Sequence, residues 1–595
     1  MNPPADPRII EVLRASLLFG PLEESVRQEL ARQLELRNIT GGHTVYREGE
    51  IADSMLVVVS GRLRVSRRDP AGQLLLYNEI AAGECVGETG LILQQARTAD
   101  VTALRDSTLG FLSRASFEYL LGLHPLPLNR VFAQAIFNQL RHLPQIHEGQ
   151  RAESVVLVPL HPEVNLDEVA NGLGRAFAAR GRVYQPESDE ALQAGIERLE
   201  TLEREFDFIL YVTDLARPEA MRRAFRQADQ IVFVAAAGQP PAPYPIETEL
   251  ASEPGFAMKR QHLLLLHPAG TRQADTCLAW KTGRSVERIY PVRSGNADDY
   301  GRLSRFLTGT AVGLVLGGGG ARGFAHLGVL RAFEEAGIPI DLVGGNSMGA
   351  LIGAQYVNGT PLDEICRQTQ RFAENGDIPT LPVISLLSGK RLARGLEQLF
   401  GDIRIDQLWR PYFAAACNLT RACITVQDNG LLWRAVLASN SPAGLLPPVP
   451  YQGELLVDGA ILDNVPVGAM RVRLGTPLEQ RRGNGTVIAV DVDVRQDLAV
   501  PPEITRLSPL NRLRGFFAAG SQTQPGIGEI LYRAGHIGGL QQRGRTMTMA
   551  DIYLEPPVGN FPLMGYRQAT EIVEAGYRYA QQESARWQPL KPCRR

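Results

Sequence analysis

Two glycine-rich segments and one Asp-Gly turn carry the residue types from which acyl chemistry can be built. Residues 344–349 read GGNSMG and contain G-x-S-x-G from Gly345 to Gly349, between a short apolar run and a helical run at 348–358. A serine on so sharp a strand-to-helix turn sits in crowded backbone that flanking glycines relieve, and the helix aims its positive end at the hydroxyl. Ser347 is therefore the candidate nucleophile. Upstream, GGGGARG (317–323) joins the apolar strand 312–316 to another helical run, 321–336, so its backbone N–H groups face any anion at the helix start. For acyl transfer that anion is the tetrahedral oxyanion. Gly318, Gly320 and Gly323 also spell the dinucleotide pattern G-x-G-x-x-G, with Asp341 in the region of a ribose-binding acid. Asp341 opens its strand, however, and the end of that strand is taken by the Ser347 turn, which disfavours a dinucleotide.

Ser347 needs a base. The one histidine that follows it is His536, so the order Ser347, Asp458, His536 makes a triad possible. In the alternative, Asp458, in LLVDGA after the apolar run 455–457, takes the serine proton directly.

GGGGARG, GNSMG and DGA, in this order and spacing, resemble the three motifs of patatin-like phospholipases, and the stretch 303–493 is similar to the neuropathy target esterase branch. That family uses a Ser-Asp dyad on an α/β hydrolase domain of three layers, α/β/α. The resemblance implies Ser347 as nucleophile, Asp458 as its base, and the amides of Gly318, Gly319 and Gly320 as oxyanion hole with Arg322 beside them. It leaves His536 as a surface or core residue; Asp341 also matches a position associated with activity in that family, although a structural role is expected for it. Asn346 and Met348 stand where relatives usually carry Thr and Ile, and Ala460 where Gly is common; these departures bear on substrate preference. The implied reaction is carboxylic ester hydrolysis of a lysophospholipid or phospholipid, with no metal and no catalytic cofactor. A carboxylate is a weak base toward a serine hydroxyl unless water is largely excluded, so an apolar wall is expected. Residues 378–387 (IPTLPVISLL) and 443–451 (AGLLPPVPY) are the candidates.

Near the N-terminus, GECVGETGLILQQARTADV (83–101) resembles the phosphate-binding cassette of cyclic nucleotide-binding domains, and TVYREGEIADSMLVVVSGRLRV (44–65) the strands ahead of it. The resemblance implies cyclic AMP or cyclic GMP as a regulatory ligand. Gly87 would open the cassette helix, Glu88 take the ribose 2′-OH, Arg97 pair with the phosphate and Thr98 add a hydroxyl contact. Ala96 replaces a frequent Pro.

The elements that must position these groups fall into three expected domains. Residues 1–150 carry a helix at 23–36, short strands at 44–46, 55–59, 62–66, 74–80, 99–104 and 108–112, and a closing helix at 129–141, which together predict a small β-barrel. Residues 151–307 alternate apolar strands (155–160, 208–213, 230–236, 262–267, 286–292) with helices such as 166–179 and 190–205, predicting a Rossmann-like α/β spacer without a phosphate loop. Residues 308–595 form the patatin-like domain, with a late strand at 487–491.

The 595 residues are 44% hydrophobic and 21% charged, which is globular composition, and a net charge of -2 argues against nucleic acid as a partner. Six scattered cysteines lack metal-ligand spacing and read as reduced and structural. No stretch reaches the roughly 18 apolar residues of a membrane span. A cytoplasmic protein, peripheral on a membrane surface, is the expectation. The alternative is a cyclic-nucleotide-responsive scaffold with an idle hydrolase domain.

Overall fold

A computed structural model describes the chain except residues 1–5, 17, 69–73, 141–152, 187–195, 375, 476–484, 494–526, 588–589 and 591–595. Cys593 and the start of the helix expected at 190–205 lie outside the described residues. Two compact units result, Met1–Thr308 and Gly309–Leu474 with Gly485–Pro592.

The first unit opens with two four-stranded antiparallel sheets. One runs Glu35–Ile39, Ser107–Ser113, Ser54–Ser60, Cys85–Val86, and the other Thr44–Tyr46, Asp100–Ala103, Arg62–Arg68, Leu74–Ala81. Leu56, Val58, Leu63, Ile80, Val101 and Leu109 fill one core between them. On the other side Met55, Val57 and Leu112 meet the helices Pro7–Ala15, Glu24–Gln33, Arg114–Leu123 and Pro125–Leu140. All six expected strands are present. The sequence did not signal Glu35–Ile39, whose largely exposed ELRNI has no alternation, or the two-residue Cys85–Val86.

The spacer is a six-stranded, fully parallel sheet in the order Val183–Tyr184, Phe208–Val212, Glu153–Pro159, Gln230–Ala236, Arg260–His267, Arg288–Arg293. Its order reverses beside the first strand, where doubly wound sheets usually receive ligands. Here His161 Nε2 accepts the Ala236 N–H at 3.2 Å and the ring lies 5.7 Å from Tyr244.

Barrel and spacer, expected as separate domains, form one unit, and buried charge joins them. Asp229 lies 3.4 Å from both Arg62 and Arg105 of the barrel, and Arg105 also meets Glu203 at 3.2 Å. Arg62, Arg105 and Asp229 are each at most 5% exposed. Lys259 Nζ donates to Leu104 O of the barrel and Ala228 O of the spacer. Burial brings its amine down to about 7.

In the second unit the sheet runs Val449–Tyr451, Glu454–Asp458, Tyr412–Asn418, Leu342–Gly345, Val312–Leu316, Thr486–Val490, Ile552–Leu554. The last five are mutually parallel, and Glu454–Asp458 joins Tyr412–Asn418 antiparallel. Chain order reverses at Val312–Leu316, so the crevice of this sheet lies at the carboxyl ends of Val312–Leu316 and its neighbours. Helix Ala325–Ala336 packs on Ala569–Gln582 through glycines: a Cβ on Gly328 would stand 2.0 Å from Val573 O, and one on Gly576 2.3 Å from Ala325 O.

Asp229→Ala leaves Arg62 and Arg105 buried without their shared acid, which typically costs about 3 to 5 kcal/mol. Hydrogen exchange across Gln230–Ala236 should accelerate accordingly, and protection equal to wild type would show that the network does not hold barrel to spacer.

Candidate active site

The strand Leu342–Gly345 ends at the elbow and the helix Met348–Val357 starts one residue beyond it. Between them Ser347 has φ 50 and ψ -124, a conformation that costs a non-glycine residue about 1 to 3 kcal/mol. Its neighbours hold it there: the Ser347 N–H donates to Ser439 Oγ at 2.9 Å, and Asn440 Nδ2 donates to Ser347 O at 2.9 Å. The glycines are steric necessities, since a Cβ on Gly345 would lie 2.7 Å from the Gly349 carbonyl carbon and one on Gly349 2.1 Å from Leu316 O. From Asp341 to Ala350, Ser347 alone is not fully buried.

Asp458 ends its strand opposite Ala416 and is 3% exposed. Burial pushes its carboxyl up from the usual carboxylate range. The Ala460 N–H, the His536 charge, the Ser347 hydroxyl and the Asn346 amide each pull it back. Ala460 N and Asn346 Nδ2 both donate to Asp458 Oδ1 at 3.0 Å. An acid held this way can be ionised without water around it, yet remains a better proton acceptor than a solvated aspartate.

Asn346 and Asn464 tie the acid to the glycine loop. Asn346 Nδ2 also donates to Asn464 Oδ1 at 3.2 Å, and its Oδ1 accepts the Gly459 N–H at 3.0 Å. Asn464 Oδ1 accepts the Gly318 N–H at 3.1 Å while its Nδ2 donates to Gly318 O at 3.0 Å. Gly318 thus lies against Ser347, where a Cβ would stand 2.9 Å from Ser347 Cβ. The expected oxyanion-hole amides differ in their present partners. The Gly318 amide is committed to Asn464, and the Gly319 and Gly320 amides donate to no protein acceptor among the described residues. Arg322 is 6% exposed and donates from Nε to Phe561 O at 2.8 Å, so it anchors the loop backbone. The loop enters a 3₁₀ turn, Gly320–Phe324, before the helix expected from 321 begins at Ala325.

Two residues, His326 and Asn464, go beyond the sequence reading, and the structure places His536 near Asp458. His326 is fully buried with Nε2 2.8 Å from Gly317 O; a carbonyl there requires Nε2–H to donate, and burial holds the imidazole down to about 4, hence neutral. His536 is 6% exposed on helix Ile527–Met549, close enough for its charge to act on Asp458. That helix crosses the Asp458 turn at glycine distance, a Cβ on Gly539 standing 2.6 Å from Ala460 O. Asn464, six residues past Asp458, has no motif of its own to mark it. Asp341 is fully buried at the other end of the strands, where Oδ2 accepts the Val312 N–H at 2.9 Å.

In the first unit Gly87, at φ 92, caps the short helix Glu88–Leu93, and Glu88 is 1% exposed. Arg97 is buried, its Nη1 donating to Gly87 O at 3.1 Å and its Nη2 to Ser54 O, with the guanidinium 3.6 Å above the Tyr46 ring. The side chain expected to face a phosphate is thus occupied by backbone carbonyls, and Thr98 is exposed.

Residues 314–471 match the patatin-like phospholipase family and residues 36–124 the cyclic nucleotide-binding domain. Patatin-like phospholipase domain-containing protein 6 of Homo sapiens is 28% identical over 92% of this chain and 44% of its own length. Neuropathy target esterase sws of Drosophila melanogaster is 29% identical over 91% of this chain and 42% of its own. Patatin-like phospholipase domain-containing protein 7 of Rattus norvegicus is 29% identical over 95% and 47%. The chain spans less than half the length of these relatives. Residues 314–471 are thus a patatin-like phospholipase domain, with a cyclic nucleotide-binding domain ahead of it at 36–124, and the chain as a whole is similar to part of the neuropathy target esterase relatives.

Proposed function

We propose that the patatin domain is a serine lipid hydrolase that cleaves the carboxylic esters of lysophospholipids or phospholipids with the dyad Ser347 and Asp458. The observation that carries this reading is a strained, partly open Ser347 beside a buried Asp458 whose carboxyl is raised by burial and bonded by neutral donors. The Ser347 hydroxyl attacks the ester carbonyl as Asp458 accepts its proton. The oxyanion gathers on the Gly319 and Gly320 amides, the alcohol leaves with the proton from Asp458, and water then releases the acyl group by the same path.

The reading extends to the first unit, where cyclic AMP or cyclic GMP is the proposed ligand. Binding then requires Arg97 to exchange Ser54 O and Gly87 O for a phosphate. Turnover responds only if the nucleotide prefers one of two arrangements of the protein, because equal affinity for both shifts nothing.

Ser347→Ala should abolish fluorophosphonate labelling and lysophospholipid turnover, and Asp458→Asn should abolish turnover, whereas His536→Ala should keep most of it. A folded His536→Ala protein as dead as Ser347→Ala would replace the dyad by a triad. Because Asp458 must be ionised to act, kcat/KM should fall on acidification at a pH above the ordinary carboxylate range. Asn346→Ala removes a donor to the ionised form and should move that limb upward by about one pH unit; an unmoved limb would mean that another group titrates. In calorimetry, Arg97→Ala should weaken nucleotide binding by about one to two orders of magnitude. No heat from wild type at millimolar nucleotide would remove the regulatory ligand.

A further inference from the structure

The segment 378–387, an expected apolar wall, is turned outward. Leu381, Val383 and Ile384 are 82%, 87% and 72% exposed. Large aliphatic side chains scattered singly on a surface need no explanation, but three within four residues do. The backbone beneath them is fixed at both ends. Thr380 N donates to Leu386 O at 3.0 Å and Ser388 N to Ile378 O at 2.8 Å, closing a hairpin. Asp377 braces its base, accepting from the Ile378 N–H at 2.7 Å, the Ser388 hydroxyl at 2.6 Å and the Leu392 N–H at 3.2 Å.

The hairpin is also sewn to the catalytic crevice. Leu386 N donates to Gly444 O at 3.0 Å and Leu387 N to Leu445 O at 2.9 Å. Just ahead, Asn440 holds Ser347 O and Ser441 O accepts the Asp458 N–H at 2.9 Å. From Ser441 to Gly444 is three residues, at most about 11 Å of chain. The hairpin itself has no charged residue, while Lys390, Arg391 and Arg394 are exposed on the first turns of the following helix, Lys390–Phe400. An apolar tip with a basic shoulder is complementary to one surface, acyl chains under anionic head groups.

We propose that the hairpin 378–387 is the membrane-docking element of this domain, inserting Leu381, Val383 and Ile384 into an anionic lipid surface with Lys390, Arg391 and Arg394 at the head groups. No helix among the described residues is long and apolar enough to cross a membrane, so attachment through this hairpin is interfacial. It brings the lipid ester to the mouth of the crevice. The assignment of lipid as the substrate rests on the function proposed above; vesicle binding is read without turnover.

The test is co-sedimentation of the full chain with vesicles of equal parts phosphatidylcholine and phosphatidylglycerol. The variant Leu381→Ser, Val383→Ser, Ile384→Ser should lose about tenfold or more of the binding. Its hydrolysis of a water-soluble short-chain nitrophenyl ester should be unchanged, because the three side chains face solvent. In a second protein, Val383→Trp, the indole should shift to the blue on vesicles and be quenched by brominated acyl chains. Equal binding of the triple variant and wild type, or an indole that stays in water, overturns the proposal. So does a wild-type dimer that the triple variant converts to monomer without any change on vesicles, which would make the hairpin a contact between copies. Failure of wild type to cleave the soluble ester counts against the hydrolase reading and leaves the vesicle result standing by itself.

Discussion

Asn346 and Asn464 share their carboxamides among Asp458, Gly459, the Ser347 elbow and Gly318, so the spacing of Asp458, Ser347 and the glycine loop 317–323 depends on these two side chains. Their orientations are forced. Turning the Asn346 amide over would set oxygen against the Asp458 carboxylate and nitrogen against the Gly459 N–H, two unfavourable contacts for two favourable ones. A network of buried polar groups in which each is bonded specifies one arrangement, because any slip leaves a donor or acceptor stranded away from water.

That rigidity is what allows the elbow to persist. A backbone conformation that is unfavourable for serine survives only where its surroundings over-determine it. Ser439 and Asn440 bond the peptide groups on each side of Ser347, while Gly345 and Gly349 let strand and helix approach closely enough to turn. The neutral His326 secures Gly317 O at the root of the glycine loop. Ser347, Asp458 and the glycine loop are therefore fixed relative to one another by the protein's own contacts.

The sequence was most legible where one short motif fixes one local geometry. G-x-S-x-G located the elbow, alternating apolar residues located the six barrel strands, and the continuous apolar run 230–236 coincides with a fully parallel inner strand. It was least legible where a side chain acts across a long loop. The Gly318 amide looks available in GGGGARG because nothing nearby in sequence marks Asn464, 146 residues on, as its partner. Arg97 reads as a phosphate ligand, but its present partners include the Ser54 carbonyl, 43 residues upstream. The apolar run 378–387 has the composition of a wall and the exposure of a surface, a difference that hydrophobicity alone does not encode. Equally, the charges joining barrel to spacer are ordinary surface letters until Asp229 is placed between Arg62 and Arg105.

The glycine loop 317–323 is sewn to chain made much later. Leu563 O accepts the Ala321 N–H at 2.8 Å, Phe561 O accepts from Arg322, and Trp587 meets Phe333 edge-on at 5.1 Å between ring centres. During synthesis the elbow emerges from the ribosome more than two hundred residues before these partners do. A nascent or prematurely terminated chain holds the serine and even the aspartate without the bonds that fix the glycine loop, because those contacts are among the most distant in sequence within the domain. The geometry around Ser347 is therefore completed only when the last part of the domain has been made.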